Sequence, residues 1–152
     1  MMTAQHTVLV ASVSILERGS VLLIREDRPG IRNKWNLPSG RIEYGEDILL
    51  AAKREVKEET GLDIELTYTT GVYNFISDTQ DQVILFHFIG RITEGAVQPQ
   101  EAEITEWTWI QPTDLDIIDS REMRNPLVMK QLANRLIKEE FWPVAIFQEQ
   151  LL

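Results

Sequence analysis

The chain has 152 residues, 43% hydrophobic and 26% charged, which is ordinary usage for one globular domain able to bury its own core. It has no cysteine, which excludes disulfide scaffolds, cysteine-ligated metals and thiol nucleophiles, and two histidines, His6 and His87, too few for a multi-histidine centre. A net charge of −9 argues against a nucleic acid polymer or a membrane as partner, and no apolar run reaches the roughly 18 residues of a membrane span, so a soluble cytoplasmic protein is expected.

Residues 7–16 are rich in β-branched side chains and predict a strand. Glu17-Arg18-Gly19-Ser20 reads as a hairpin turn, with a return strand over 21–25. Residues 27–34 contain Pro29-Gly30 and predict a loop; Trp35-Asn36-Leu37 is a short extended piece stopped by Pro38; residues 39–46 read as a structured loop around Gly40 and Gly45. A helix is expected from near Asp47, a capping acid, to Thr60, with Gly61 as its stop. Residues 63–76 and 82–92 predict strands around the polar turn 77–81, followed by a loop over 93–100. A strand over 104–110 puts Trp107 and Trp109 on one face, and 112–115 reads as a helical turn. Residues 124–139 predict a second helix with Val128, Leu132 and Leu136 as its buried stripe, and the apolar segment 141–147 is expected to pack back on the body. With no internal repeat or linker, the economical architecture is α+β: one domain over residues 1–152, a mixed sheet flanked by two helices.

The charges are unevenly placed. Arg25, Arg28, Arg32, Lys34 and Arg41 make a basic stretch interrupted only by Glu26 and Asp27, whereas the stretch from Glu94 to Glu122 is acidic except for Arg121. Such a pair of segments can hold phosphate and metal respectively, or can simply be two solvated surfaces. In the first helix Glu55, Glu58 and Glu59 stand at i, i+3 and i+4 and share one face within an arc of about 100°, beside the apolar stripe of Leu49, Ala52 and Val56. Like charges at this spacing repel, and Arg54 alone does not neutralise three carboxylates. Hard oxygen ligands suit Mg²⁺ or Mn²⁺, and such a cation would remove the repulsion; a solvated acidic helix face is the competing interpretation.

The wider pattern separates the two. From Gly40, five residues lead to Glu46, seven more to Arg54-Glu55, then Val56, Lys57, Glu58-Glu59, Thr60, Gly61 and Leu62. This segment resembles the signature of the MutT/Nudix hydrolases at every specified position, a match expected by chance in a chain of this length about once in 10⁸. Trp35-Asn36-Leu37-Pro38 precedes it as in many family members, while Ser39 replaces a glycine common there.

The resemblance implies an α/β/α sandwich, a Nudix fold, and Mg²⁺- or Mn²⁺-dependent hydrolysis of a nucleoside diphosphate-linked molecule, or of a nucleoside triphosphate or other small pyrophosphate. It further implies Glu55, Glu58 and Glu59 as metal-binding carboxylates, the Ser39 carbonyl as another ligand, Arg54 and Glu46 as partners that orient the glutamates, and Gly40 and Gly61 as loop-shaping residues. A further carboxylate from a downstream loop is best filled by Glu103, with Glu101 and Glu106 as rivals. The general base falls to Glu55 or Glu103. Arg28 and Arg32 are candidates to clamp phosphates. Trp35 and Tyr73 are candidates to stack a base, although strand aromatics more often pack the core. His87, between Phe86 and Phe88, reads as a structural residue. Subfamily marks for NADH, ADP-ribose and diadenosine polyphosphates are absent, and Arg124-Asn125-Pro126-Leu127-Val128 with Trp142-Pro143-Val144 is similar to a small bacterial group of nucleotide and thiamine-precursor phosphatases. The substrate itself is not legible, and a homodimer is left open. The alternative is a non-catalytic Nudix-fold nucleotide-binding or regulatory module, which usually carries a broken signature.

Overall fold

The β-branched segments pair into one mixed sheet in a computed structural model that describes residues 6–151. Strands β1 (Thr7–Glu17) and β2 (Ser20–Arg28) form the first hairpin, followed by β3 (Ile31–Asn36), the short β4 (Ser39–Arg41) and helix α1 (Ile48–Thr60). Strands β5 (Asp63–Ile76), β6 (Gln82–Glu94) and β7 (Ile104–Ile110) come next, then helix α2 (Pro126–Ile137) and the two-residue β8 (Trp142–Pro143). The order across the sheet is β3-β2-β1-β6-β5-β8, with β4 also pairing β1 and β7 pairing β2. The central pair, β1 and β6, is parallel, with Ser12 opposite His87.

Alternation along β6 separates two cores. On one face Ala52 and Val56 of α1 pack with Ala11, Val13, Ile15 and Phe88. On the other Met129, Leu132 and Leu136 of α2 pack with Val83, Leu85 and Ile89. The sheet therefore lies between two helices, the expected α/β/α sandwich. Among the described residues no helix is long and apolar enough to cross a membrane.

Helix α1 forms where expected. The Asp47 carboxylate accepts from the Leu49 and Leu50 amides at 3.0 and 3.1 Å, which satisfies two of the otherwise unpaired amides of the first turn. Gly61 ends it at φ 78, and a Cβ there would also meet the Gln98 carbonyl oxygen at 2.4 Å, so both conformation and space require glycine.

Three local expectations change. Residues 27–34 are not a loop: β2 runs on to Arg28, β3 begins at Ile31, and only Pro29-Gly30 turns, with Gly30 at φ 82. The backbone of β2 is paired on both sides, by β3 and β7, so ladder hydrogen bonds hold a charged stretch extended. The structured loop at 39–46 opens with β4, bonded to β1. Helix α2 is shorter than residues 124–139, because Asn125 adopts a left-handed conformation (φ 44) and Pro126 occupies the first helical turn. Its buried row is Met129, Leu132, Ala133 and Leu136, with Val128 packed at the margin. The tail packs back as expected, with Phe147 against Phe86 and Phe88 at ring separations of 6.1 and 4.9 Å.

Candidate active site

Helix α1 sets its glutamates against β4 and the end of β2. Gly40 lies so close that a Cβ would stand 2.0 Å from the Glu55 carboxyl carbon; only glycine leaves room for that side chain. Arg54 braces the loop to the helix. It donates through Nε and Nη2 to Glu46 at 2.6 and 2.9 Å, through Nη1 to Glu55 at 2.8 Å and Glu58 at 3.2 Å, and to the Arg41 carbonyl at 3.1 Å. Glu46 also accepts the Glu43 amide at 3.0 Å, and the paired guanidinium holds its carboxyl below the usual range.

Glu59 is 2% exposed, accepts the Ser39 amide at 2.7 Å and faces Arg28 at 3.4 Å. Burial and the neighbouring Glu26 push its carboxyl well above the usual range, against the Ser39 and Arg28 contacts. Burial likewise pushes Glu55 up to about 7, against the opposing effect of Arg54. Desolvation opposes the Arg28 charge, but the fields of Glu26, Glu59 and Glu101 outweigh it and the group is held firmly protonated.

These groups line a cleft of about 630 Å³. The glutamates of α1, Ser39 and Gly40 form one wall; Arg28, Glu101 and Arg124 reach it from other elements; Val8, Val10, Phe75, Val83 and Leu85 supply apolar lining. Seven carboxylates against four arginines line it, an excess of negative charge that suits cations better than a bare anion. The oxygen-only donor set fits a hard divalent ion, and Glu55, Glu58, Glu59 and Ser39 are the residues that could hold one. Among the described residues the carboxylates are not already converged on one point: Glu55 and Glu58 share Arg54, while Glu59 turns to Ser39 and Arg28.

The structure brings Glu46, Arg54, Glu55, Glu58, Glu59, Ser39, Gly40 and Arg28 together, and it revises four other expectations. Glu103 has an exposed side chain; its carbonyl accepts the Asp27 amide at 2.8 Å, and its rival Glu101 lines the cleft instead, 3.4 Å from Arg28. Arg32 pairs with Asp27 at the exposed hairpin, away from the cleft. Trp35 packs on the α2 core with the Arg25 guanidinium 5.5 Å over its ring. Tyr73 is 7% exposed in that same core, its hydroxyl 2.8 Å from Thr70.

Sequence reasoning missed Glu26 and Arg124. Glu26 is 3% exposed and pairs with Arg124 at 3.4 Å. The available signal is parity: Glu26 follows Leu22 and Ile24 at two-residue spacing, so an acid continues a buried row. No local signal pairs Arg124 with Glu26, which it reaches across 98 positions of sequence.

The NUDIX domain family model matches residues 6–132. The human protein "8-oxo-dGDP phosphatase NUDT18" is 33% identical over 141 residues, covering 81% of this chain but only 42% of that protein. A "MutT-like protein" of Streptomyces ambofaciens is 34% identical over 110 residues, covering 72% of this chain and 67% of its own. Among solved structures, a NUDIX hydrolase from Nitrosomonas europaea superposes with a TM-score of 0.82 at 26% identity, covering 93% of this chain and 96% of that one. With Gly40, Arg54, Glu55, Glu58 and Glu59 of the signature lining one cleft and the family model spanning most of its length, the chain belongs to the MutT/Nudix hydrolase family.

Proposed function

We propose that the chain hydrolyses a phosphoanhydride bond in a small nucleotide or nucleoside diphosphate-linked molecule, with Mg²⁺ or Mn²⁺ as cofactor. The observation that carries this reading is the cleft in which three α1 glutamates, beside Ser39, stand together with Arg28 and Arg124. A divalent ion, when bound, supplies charge neutralisation and acidifies water. The protein's part is positional and electrostatic. Gly40 admits Glu55, Arg54 fixes its direction, and the arginines take up phosphate charge that the carboxylate wall would repel.

Hydrolysis forms a bond from water oxygen to phosphorus and breaks the bond to the leaving phosphate, while the water proton passes to a carboxylate. Glu55, which lines the cleft and is fixed by Arg54 at 2.8 Å, is the carboxylate assigned to accept that proton. Glu101 lines the cleft, which supports it over Glu103 as the further downstream carboxylate. Two relatives, a human 8-oxo-dGDP phosphatase and the Escherichia coli phosphatase NudJ, support nucleoside diphosphates as the first substrates to try. A panel of nucleoside di- and triphosphates and nucleotide sugars, assayed for phosphate and pyrophosphate release with Mg²⁺ and with chelator, tests the reading. Metal-dependent release from at least one class is expected; tight nucleotide binding without turnover would favour a non-catalytic module.

A further inference from the structure

Glu26 accepts two hydrogen bonds, from Asn36 Nδ2 at 3.2 Å on Oε1 and from Arg124 Nη1 at 3.4 Å on Oε2, and is ion-paired with Arg28, whose Nε stands 3.6 Å from Oε2. The same residues close a ring. Asn36 also donates to the Ser39 hydroxyl at 3.2 Å, the Ser39 amide to Glu59 at 2.7 Å, and Arg28 Nη2 reaches Glu59 at 3.4 Å before Arg28 Nε returns to Glu26. Arg124 joins this ring from the segment before α2 through Glu26, and its own amide is tied to the Trp35 carbonyl at 2.9 Å. The Nε atoms of both arginines are buried without a hydrogen-bond partner among the described residues, so neither guanidinium is satisfied by the protein alone.

We propose that Glu26 is a positioning residue that holds Arg28 and Arg124 as a paired grip for a phosphate of the substrate, opposite the α1 glutamates. This rests on the phosphoanhydride reading of the cleft. Two guanidiniums that share one carboxylate oxygen would otherwise repel, and without it Arg28 would turn to Glu59 and Glu101, each already 3.4 Å away. That collapse removes a phosphate ligand. Glutamine cannot substitute. Its amide nitrogen would face either the two arginines or Asn36, donor against donor, and Asn36 cannot turn over because its Oδ1 accepts the Leu37 amide at 2.9 Å.

The test compares the parent chain with Glu26→Gln, Glu26→Asp, Arg124→Ala and the Glu26→Gln/Arg124→Ala double variant. Inorganic pyrophosphate binding is measured by calorimetry at saturating Mg²⁺, steady-state constants are measured on the best nucleotide of the panel, and melting temperature is followed throughout. Glu26→Gln and Arg124→Ala should each weaken pyrophosphate at least tenfold and raise KM similarly, with kcat changed no more than about threefold; the double variant should be little worse than either single one. Glu26→Asp, which keeps an acceptor-only charge, should recover part of the affinity. Unchanged pyrophosphate affinity in Glu26→Gln, simple multiplication of the two defects, or no pyrophosphate binding by the parent would each overturn the proposal. If Glu26→Gln does not fold, Arg124→Ala carries the decision, since it leaves the ring closed. A parent that binds pyrophosphate in a Glu26-dependent way but turns over no phosphoanhydride would refute the hydrolase reading and leave the grip standing.

Discussion

Acid should destabilise this protein through His87. The ring is 0% exposed, with Nε2 2.8 Å from the Ser14 hydroxyl and Nδ1 3.1 Å from Ser12, and burial pushes its pKa down from 6.5 to about 3. Below pH 6.5 the unfolded chain binds a proton at this residue that the native chain refuses. The stability it contributes is therefore complete above pH 6.5 and is lost as pH falls toward 3. Each unit is worth about 1.4 kcal/mol, so about 3 kcal/mol is gone at pH 4.5 and about 4 kcal/mol at pH 3, a large share of the 5–15 kcal/mol typical of a domain. The perturbation is His87→Gln, which keeps polar atoms for the serines and does not titrate. Urea unfolding followed by tryptophan fluorescence at pH 7 and pH 4.5 gives the loss for each protein. Whatever the absolute stability of the variant, the parent should lose about 3 kcal/mol more between the two pH values. Other titrating groups, including Glu55 whose raised carboxyl pulls the opposite way, are common to both proteins and cancel. Equal losses would show that His87 is not held neutral by burial, and the reasoning would fail.

Gly40→Ala should preserve the fold by circular dichroism but cut turnover by two orders of magnitude or more, because the new Cβ would overlap the Glu55 carboxyl. Mg²⁺ or Mn²⁺ should raise the melting temperature: at a hundred times the dissociation constant the gain is about 2.7 kcal/mol, or several degrees in a chain of this size, and Glu59→Gln should abolish most of it in scanning calorimetry. Arg54→Ala should lower kcat, since it orients Glu55 and Glu58, whereas Arg32→Ala should leave KM unchanged even at low salt, where an exposed phosphate contact would be felt most.

Much of helix α1 was legible in the sequence because its determinants are local. Capping by Asp47, the stop at Gly61 and the one-face spacing of Glu55, Glu58 and Glu59 all lie within one turn of the residues they govern. The β2–β3 hairpin was obscured because Pro29-Gly30 suggests a loop over 27–34, and pairing with β7 from far downstream keeps β2 extended. Glu101 and Glu103 differ by two positions, and only the tertiary path of the loop decides which carboxyl faces the cleft. Tyr73 and Trp35 follow the usual preference of strand aromatics for the core. Glu26 and Arg124 show the limit most clearly: strand parity points only to burial of Glu26, and its meeting with Arg124 depends on where the approach to α2 crosses the end of β2.

The most direct measurement of the central claim is phosphate release from a nucleoside diphosphate, with the parent chain and Glu58→Gln side by side, first in chelator and then on return of Mg²⁺. The parent should be silent in chelator and active on readdition, while Glu58→Gln should remain at least a hundredfold slower with its fold intact. Turnover in chelator, or near-parental turnover in the variant, would contradict a metal-dependent site on the α1 glutamates.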